Sequence, residues 1–247
     1  MAQEQGFLKT EVEGGGFSHA IFHNGKLGSA TTLHVYLGGD GTPWIGGFII
    51  ASDPTPRKPV VLKLMAMDES PSLVLGRPCY HGYSKQQPCM SDYWTSGRYA
   101  EEVIDSMAKA LRKLMRDYGH TELHLIGFSG GGSLAMLMAE RLPETQSIVT
   151  VAANLDIETW AEFHGYDPLD DSQNPQSMSP LPATIRQYHL AGGRDRNVPP
   201  NIIRDALSNQ PDSQFILFKE FTHGCCWGEI WRKVLACVDE QCVWRGL

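Results

Sequence analysis

The sequence has no long apolar run, no basic cluster and no cysteine spacing that suits zinc. Its longest apolar stretches are far shorter than the roughly 18 residues of a membrane-spanning helix, which excludes a transmembrane span. The net charge is −7 and no basic run is interleaved with aromatic residues, so nucleic acid is not expected as a partner. What remains is a composition typical of a globular protein with a good core.

The N-terminal residues 1–9 lack the basic start and the apolar core of a signal peptide. A chain that begins after a removed signal would look the same. We therefore expect a cytoplasmic protein, or a periplasmic or cell-envelope protein if a signal was removed. Nothing in the sequence indicates the oligomeric state.

The six cysteines are too few for a disulfide-rich scaffold in 247 residues, and no two are spaced as Cys-x-x-Cys, so no metal site is expected. Cys79 and Cys89 share one loop and could close a ring of residues 79–89, or they could be two buried thiols. The other four cysteines are expected to pack without forming bridges. They are Cys225, Cys226, Cys237 and Cys242.

Apolar periodicity divides the chain into strands and helices without a repeat or a linker, and a hydrophobic fraction of 42% suits one α/β domain over residues 1–247. Two leading antiparallel strands are predicted to turn at glycines 14–16. From residue 32 onward strands and helices alternate, which predicts a mostly parallel sheet with helices on both faces. The predicted strands are 6–12, 17–23, 32–37, 73–75, 123–126, 147–152, 185–190 and 214–218. The predicted helices are 57–68, 98–118 ended by Gly119, one between Ser129 and Pro143, 200–208 and 225–244.

The segment 127–131 reads Gly-Phe-Ser-Gly-Gly and matches G-x-S-x-G between a predicted strand and a predicted helix. Such a tight turn strains the backbone of Ser129 and presents its hydroxyl at the end of the sheet. Two other interpretations are a phosphate-binding loop, which lacks the Lys-Ser/Thr of a Walker motif, and a glycine-rich turn without chemistry. The partners of Ser129 decide among them.

A serine hydroxyl needs a base, and the base needs a group that orients it. Asp195 follows the strand 185–190 and His223 follows the strand 214–218, so both lie where parallel strands end. The chain order Ser129, Asp195, His223 is that of the α/β-hydrolase arrangement. The alternatives are Asp156 for the acid, and His164 or His189 for the base, although His189 lies inside a strand. Asp195 could also be a turn residue paired with one of its neighbouring arginines.

An oxyanion hole needs two hydrogen-bond donors near the reacting carbonyl oxygen. The amide of Gly130, at the start of a helix, is one candidate. The second is expected from the loop after the first buried strand, from the amide of Gly39 or of Asp40. The alternative is that residues 38–41 are only a tight turn.

Residues 154–182 interrupt the alternation and predict a short lid-like insertion or pocket wall. Four aromatic residues are candidates for an apolar substrate pocket, with simple core packing as the alternative for each. They are Tyr93, Trp94, Trp160 and Phe163.

Across residues 30–247 the chain resembles the α/β-hydrolase superfamily, and more narrowly a group of bacterial hydrolases of poorly defined substrate. The segments that carry the resemblance are 36–41, 76–79, 93–98, 127–132, 151–156 and 192–199. It implies Ser129 as nucleophile, Asp195 as acid and His223 as base. Members of the narrower group are often exported or lipid-anchored, which would suit a Cys79–Cys89 bridge. The chain has Tyr36-Leu-Gly-Gly where many lipases have His-Gly-Gly-Gly, so long-chain lipase activity does not follow.

We therefore expect a cofactor-independent serine hydrolase, a carboxylesterase acting on a small-molecule acyl substrate through an acyl-enzyme. A peptidase, amidase or acyltransferase would use the same three residues. A non-catalytic binding module on the same scaffold is the alternative from another class.

Overall fold

A computed structural model describes residues 2–240 and 242–244 and contains an eight-stranded sheet with helices on both faces. The strands of this sheet are β1 (Leu8–Gly14), β2 (Phe17–His23), β3 (Thr32–Leu37), β6 (Ser72–Leu75), β7 (Glu122–Phe128), β8 (Thr145–Val151), β9 (Arg186–Gly192) and β10 (Ser213–Phe218); β4 (Trp44–Ile45) and β5 (Ile49–Ile50) form a separate hairpin. The helices are α1 (Val60–Met65), α2 (Glu101–Tyr118), α3 (Gly130–Ala139), α4 (Ile157–His164), α5 (Pro200–Ala206) and α6 (Trp227–Asp239).

The strand order in the sheet is β1-β2-β6-β3-β7-β8-β9-β10. The pairs β1/β2 and β2/β6 are antiparallel, and every later pair is parallel. The prediction of a mostly parallel sheet behind an antiparallel leading edge is therefore confirmed. Since the parallel strands end at one edge, the loops after β3, β7, β9 and β10 meet there.

The core has two layers, one on each face of the sheet. Helices α2 and α3 pack on one face with apolar residues such as Met107 and Leu134, and α1 and α6 pack on the other with Met65 and Trp231. Gly119 ends α2 in a left-handed conformation with φ of 75°, as predicted. The segment 57–68, which was predicted to be a helix, is helical over Val60–Met65.

Several predicted bounds were wrong by a few residues. The first strand begins at Leu8 rather than residue 6. Helix α2 begins at Glu101 rather than residue 98, because Arg98 and Tyr99 are turned toward Asp40 before the helix starts. The closing helix runs over Trp227–Asp239 rather than 225–244, and residue 241 of the predicted range lies outside the described residues.

The sulfur atoms are paired as three disulfides, Cys79–Cys89, Cys225–Cys226 and Cys237–Cys242. The prediction that the last four cysteines pack without bridging was wrong. Helix α6 ends at Asp239, and the turn that follows brings the Cα atoms of Cys237 and Cys242 within 4.9 Å. Sequence spacing alone did not reveal this close approach.

A hydrogen-bonded group around the buried His34 connects β3 with α6. His34 Nδ1 lies 2.8 Å from Asp68 Oδ2, which also accepts a hydrogen bond from Tyr36 at 2.6 Å. His34 Nε2 lies 3.3 Å from Asp239 Oδ1, within ion-pair distance. Burial lowers the pKa of His34, but the hydrogen bonds and charges of Asp239 and Asp68 outweigh burial and raise that pKa to about 9.

This raised pKa predicts a loss of stability in mild alkali. The folded state keeps the His34 proton up to about pH 9, whereas an unfolded histidine releases it near pH 6.5. Protonated His34 therefore contributes fully to the free energy of unfolding below pH 6.5. This contribution, about 3 kcal/mol at most, is lost as the pH rises toward 9. We expect the free energy of unfolding, measured in urea, to fall across that window. The His34→Gln variant should not show this decrease in the free energy of unfolding. An equal decrease in that variant would show that other groups cause it.

Candidate active site

Ser129 stands at the turn between β7 and α3 in a backbone conformation that side chains rarely adopt, with φ of 54° and ψ of −128°. Its amide donates to the Val151 carbonyl at 2.9 Å, which continues the β7/β8 ladder past the end of the strand. The strained turn therefore holds the Ser129 hydroxyl above the carboxyl ends of the parallel strands.

Close packing explains the two glycines of the G-x-S-x-G pattern. A Cβ atom on Gly127 would lie 2.2 Å from the Gly131 carbonyl oxygen, and one on Gly131 would lie 2.1 Å from the Leu37 carbonyl oxygen. Both contacts are with backbone and cannot be relieved by moving a side chain. The turn thus requires glycine at these two positions because α3 begins directly against β3 and β7.

His223 forms a continuous hydrogen-bonded chain with Asp195 and Ser129. His223 Nδ1 lies 2.8 Å from Asp195 Oδ2, and His223 Nε2 lies 3.1 Å from Ser129 Oγ. The other oxygen of Asp195 accepts from the amides of Asn197 and Val198 at 2.8 and 2.9 Å. The carboxylate is therefore fixed by its own loop and presents one oxygen to the imidazole.

Backbone hydrogen bonds hold the loops of Asp195 and His223 against each other. The Arg194 amide donates to the Phe221 carbonyl at 2.9 Å, and the Gly193 amide donates to the Phe218 carbonyl at 2.8 Å. On the other side, Trp227 Nε1 donates to the His223 carbonyl at 2.9 Å. These bonds follow from the parallel β9/β10 pairing, which places the two loops side by side.

The rival residues lie in other environments. Asp156 caps α4 by accepting from the Thr159 amide at 3.2 Å. His164 Nε2 lies 2.7 Å from the Asn197 carbonyl oxygen. His189 is fully buried, and burial lowers its pKa to about 3, as suits a neutral core imidazole. None of these three has a hydrogen bond to Ser129 among the residues that the structure describes.

The loop 38–41 lies directly against the turn that contains Ser129. A Cβ atom on Gly39 would be 3.2 Å from Ser129 Cβ, and one on Gly130 would be 1.9 Å from Asp40 Oδ1. Gly130 is also the first residue of α3, where amides lack an intrahelical acceptor. The loop of Gly39 and Asp40 thus packs beside the first residue of α3, and an oxyanion hole built from these amides stays a prediction.

Asp40 is held by two arginines and two tyrosines. Its carboxylate accepts from Arg77 Nη2 at 2.7 Å, from Arg98 Nη1 at 3.2 Å and from the Tyr99 hydroxyl at 2.8 Å. Its carbonyl oxygen accepts from the Tyr80 hydroxyl at 3.0 Å. Burial raises the pKa of Asp40, but the charges of Arg77 and Arg98 outweigh it and keep that pKa below its usual value.

A cavity of about 1380 Å³ opens over Ser129 and His223. Its floor includes the loop 38–41, and its walls include the segment 55–62 and residues 165–169. The first half of the predicted insertion 154–182 therefore borders the cavity, through Asn154, Trp160 and residues 165–169. Whether that insertion also covers the cavity as a lid stays a prediction.

Three of the four predicted pocket aromatics do not line this cavity, and that part of the prediction was wrong. Trp94 is buried and donates to the Ala51 carbonyl at 3.1 Å, and Tyr93 packs edge-on against Phe17. Phe163 is exposed to solvent. Trp160 does line the cavity and donates through Nε1 to the Asn197 carbonyl at 2.9 Å. The physical reason is that Tyr93 and Trp94 turn toward Phe17 and Ala51, whereas Tyr80 and Thr95 of the same loop line the cavity. Phe163 occupies an exposed position of α4.

Sequence reasoning missed Asn197, Arg77 and Arg98. Asn197 Nδ2 lies 3.0 Å from His223 Nε2, on the same nitrogen that faces Ser129. Its position two residues after Asp195 was a signal for this proximity. Nothing in the sequence pattern indicated that Arg77 and Arg98, which are far apart in the chain, share one carboxylate.

Within residues 2–240 and 242–244, no three His, Cys, Asp or Glu side chains converge as a metal-binding group. In the same described part of the chain, no helix is both long enough and apolar enough to cross a bilayer.

The comparisons with known proteins agree with this architecture. A family model described as the alpha/beta hydrolase fold matches residues 78–178. The esterase Pf2001 of Pyrococcus furiosus has a similar structure, with a TM-score of 0.63 and 13% identity over 97% of this chain and 91% of that one. XC6422 of Xanthomonas campestris, a serine hydrolase without a lid, has a TM-score of 0.60 and 12% identity over 95% of this chain and 92% of that one.

An alpha-beta serine hydrolase homologue of Coxiella burnetii covers 96% of this chain and 97% of its own, with a TM-score of 0.56 and 14% identity. No curated protein has a matching sequence. At identities this low, structural similarity shows the fold and does not identify a substrate. The family model, the similar structures and the order and direction of the eight strands together show that the chain has the α/β-hydrolase fold.

Proposed function

We propose that the protein is a serine hydrolase that cleaves carboxylic esters through an acyl-enzyme. The observation that carries the proposal is the chain of contacts from Ser129 Oγ to His223 Nε2 at 3.1 Å and from His223 Nδ1 to Asp195 Oδ2 at 2.8 Å. Both distances are within the reach of proton transfer and orientation. The strained backbone of Ser129 supports the same assignment.

In the acylation step, Ser129 Oγ forms a bond to the acyl carbon while its proton passes to His223 Nε2. Asp195, fixed by the amides of its own loop, keeps the remaining ring proton on Nδ1 and stabilises the imidazolium. His223 then gives the proton from Nε2 to the oxygen of the departing alcohol as the carbon–oxygen bond breaks. The acyl group is left on Ser129.

In the deacylation step, a water molecule takes the place of the alcohol. His223 removes one proton from the water as its oxygen bonds to the acyl carbon, and returns that proton to Ser129 Oγ as the acid leaves. In both steps the negative charge on the former carbonyl oxygen would be met by the Gly130 amide and by the amide of Gly39 or Asp40. Losing one such donor costs about 3 to 4 kcal/mol of barrier in other hydrolases.

An ester is the substrate class that we favour over an amide. The similar structure from Pyrococcus furiosus is an esterase. The cavity over Ser129 has a volume of about 1380 Å³, which is large enough for a sizeable acyl group. A peptidase, amidase or acyltransferase with the same three residues, and a binding module without catalysis, are outcomes of the test below.

The test uses a fluorophosphonate probe followed by a substrate panel. We expect the probe to label Ser129, because only a serine activated by a neighbouring base reacts with it. A panel of short and long p-nitrophenyl esters beside aminoacyl anilides is expected to show turnover of esters.

Two controls make the result decisive. Ser129→Ala should abolish labelling, while Ser208→Ala, a change at an exposed serine of the 3-10 turn Leu207–Asn209, should leave it intact. An unlabelled protein with the circular dichroism of the folded chain would overturn the proposal and favour the binding module. Faster turnover of anilides than of esters would favour a peptidase.

A further inference from the structure

The hairpin formed by β4 and β5, residues 44–50, exposes an unusual amount of apolar surface. Five of the twelve large hydrophobic side chains that are exposed among the described residues lie in this hairpin. They are Trp44, Ile45, Phe48, Ile49 and Ile50, and Phe48 is 77% exposed. No charged residue occurs from Gly41 to Ser52. Contiguous exposed apolar side chains of this kind mark an interaction surface.

This apolar hairpin stands at the mouth of the cavity that contains Ser129. Trp44, Gly47 and Phe48 all line that cavity. Tyr166, which follows α4, also lines it and is 55% exposed. A partner that covered the hairpin would therefore face the opening through which a substrate reaches Ser129.

Two exposed cations lie next to the hairpin on the same opening. Arg57 and Lys58 line the cavity mouth, and neither forms an ion pair within the part of the chain that the structure describes. The exposed acids nearby are Asp53, whose side chain accepts from the Thr55 amide, and Asp167 on the far wall. Two adjacent cations thus lie beside the apolar tip in a protein with a net charge of −7.

We propose that the apolar hairpin, with Arg57 and Lys58, seats the protein on an anionic phospholipid surface. The apolar side chains would enter the boundary between headgroups and acyl chains, and the two cations would contact lipid phosphates. The cavity mouth would then open toward the lipid. The proposal extends the proposed hydrolase function by supplying a source of ester substrate, but the binding itself does not depend on catalysis.

A second copy of the chain fits this surface less well. In a two-fold pair through the hairpin, Arg57 and Lys58 of both copies would enter one interface and repel each other. Such a pair would also close both cavity mouths. A lipid surface meets the apolar residues and the cations at once and leaves the mouth in contact with its substrate.

The experiment is flotation of the full chain with vesicles of phosphatidylcholine alone or of equimolar phosphatidylcholine and phosphatidylglycerol. We expect binding to the anionic vesicles that weakens with added salt. The double variant Phe48→Ser, Ile49→Ser should bind at least about tenfold more weakly, because two exposed apolar side chains no longer enter the membrane. The matched control Leu8→Ser changes an apolar residue that is 55% exposed on the far edge strand and should bind as the wild type does.

The contribution of the two cations to vesicle binding is tested with two double variants. One double variant carries Arg57→Glu and Lys58→Glu. The control double variant carries Lys109→Glu and Lys113→Glu, which lie at exposed positions of α2 and change the net charge by the same amount. The first pair should weaken binding at least about 30-fold, and the second should have little effect. Thermal unfolding of each variant excludes loss of folding as the cause.

Three outcomes would overturn the proposal: no flotation of wild type, equal flotation of all variants, or a dimer in light scattering that Phe48→Ser dissociates. Flotation is repeated with Ser129→Ala, which should bind like wild type. Failure of the fluorophosphonate test would thus leave the membrane result interpretable, and failure of flotation would leave the labelling result untouched.

Discussion

Replacing Ser129 by alanine is expected to lower kcat/KM for a short-chain ester by about 10⁵- to 10⁶-fold. The variant removes the atom that would form the bond to the acyl carbon, and no other hydroxyl lies within hydrogen-bond distance of His223 Nε2 among the described residues. The residual rate would come from the amides near Gly130, which the substitution leaves in place. Initial rates with p-nitrophenyl acetate, on protein purified away from host esterases, provide the measurement.

His223→Ala should lose nearly as much, and combining it with Ser129→Ala should cost almost nothing more, because the two side chains act as one unit. Asp195→Asn should lose about 10⁴-fold, since an amide can no longer hold the Nδ1 proton and the imidazole can settle in the wrong tautomer. Additive losses in the double variant would contradict this mechanism. The control Asp212→Asn alters an exposed aspartate before β10 and should retain wild-type rates.

Replacing Asp40 by asparagine is expected to destabilise the protein by about 3 kcal/mol. The change keeps the shape of the side chain but leaves Arg77 and Arg98, which are 3% and 6% exposed, without the carboxylate that they share. Urea unfolding at neutral pH measures the loss. The Asp40 side chain is 17% exposed, so water reaches it in part and the loss should lie at the low end for a buried pair.

The same substitution should lower kcat by about 10²- to 10³-fold with a smaller effect on KM, because Asp40 positions the loop 38–41 beside the Ser129 hydroxyl. Glu101→Gln is the matched control, since it removes a carboxylate from an exposed arginine pair with Arg141. That variant should lose less than about 1 kcal/mol and keep its kcat. An Asp40→Asn protein that is destabilised but fully active at low temperature would show that the network is only structural.

Much of the fold could be predicted because its apolar patterns are local. Strand β7 and helix α3 flank one short turn, so the strand, the serine and the helix are all visible within residues 122–139. The hairpin 44–50 was missed, although Gly46-Gly47 between two apolar pairs is a pattern typical of a hairpin turn. The bridge at Cys237 escaped prediction because it depends on where α6 ends.

Candidate site residues that directly follow a strand could be predicted from the sequence. Asp195 and His223 each come within a few residues of a strand end, so the parallel sheet alone places them at one edge. Arg77 and Arg98 come from a long loop whose path depends on packing against Phe17 and Tyr80. The prediction for Tyr93 and Trp94 failed for the same reason, since the composition of a loop does not say which way its side chains turn.

Strand β8 separates the nucleophile from its two partners, and this arrangement has a mechanical consequence. Asp195 and His223 are carried by adjacent strands whose loops are joined by backbone hydrogen bonds, so they move as one rigid unit. Ser129 follows β7, and within the sheet β8 lies between β7 and the strands that carry that unit. Small shear between β8 and β9 would therefore change the distance from hydroxyl to imidazole while the distance from imidazole to carboxylate stays constant. In the proposed mechanism, the contact that such shear would alter is the one across which the Ser129 proton first passes to His223.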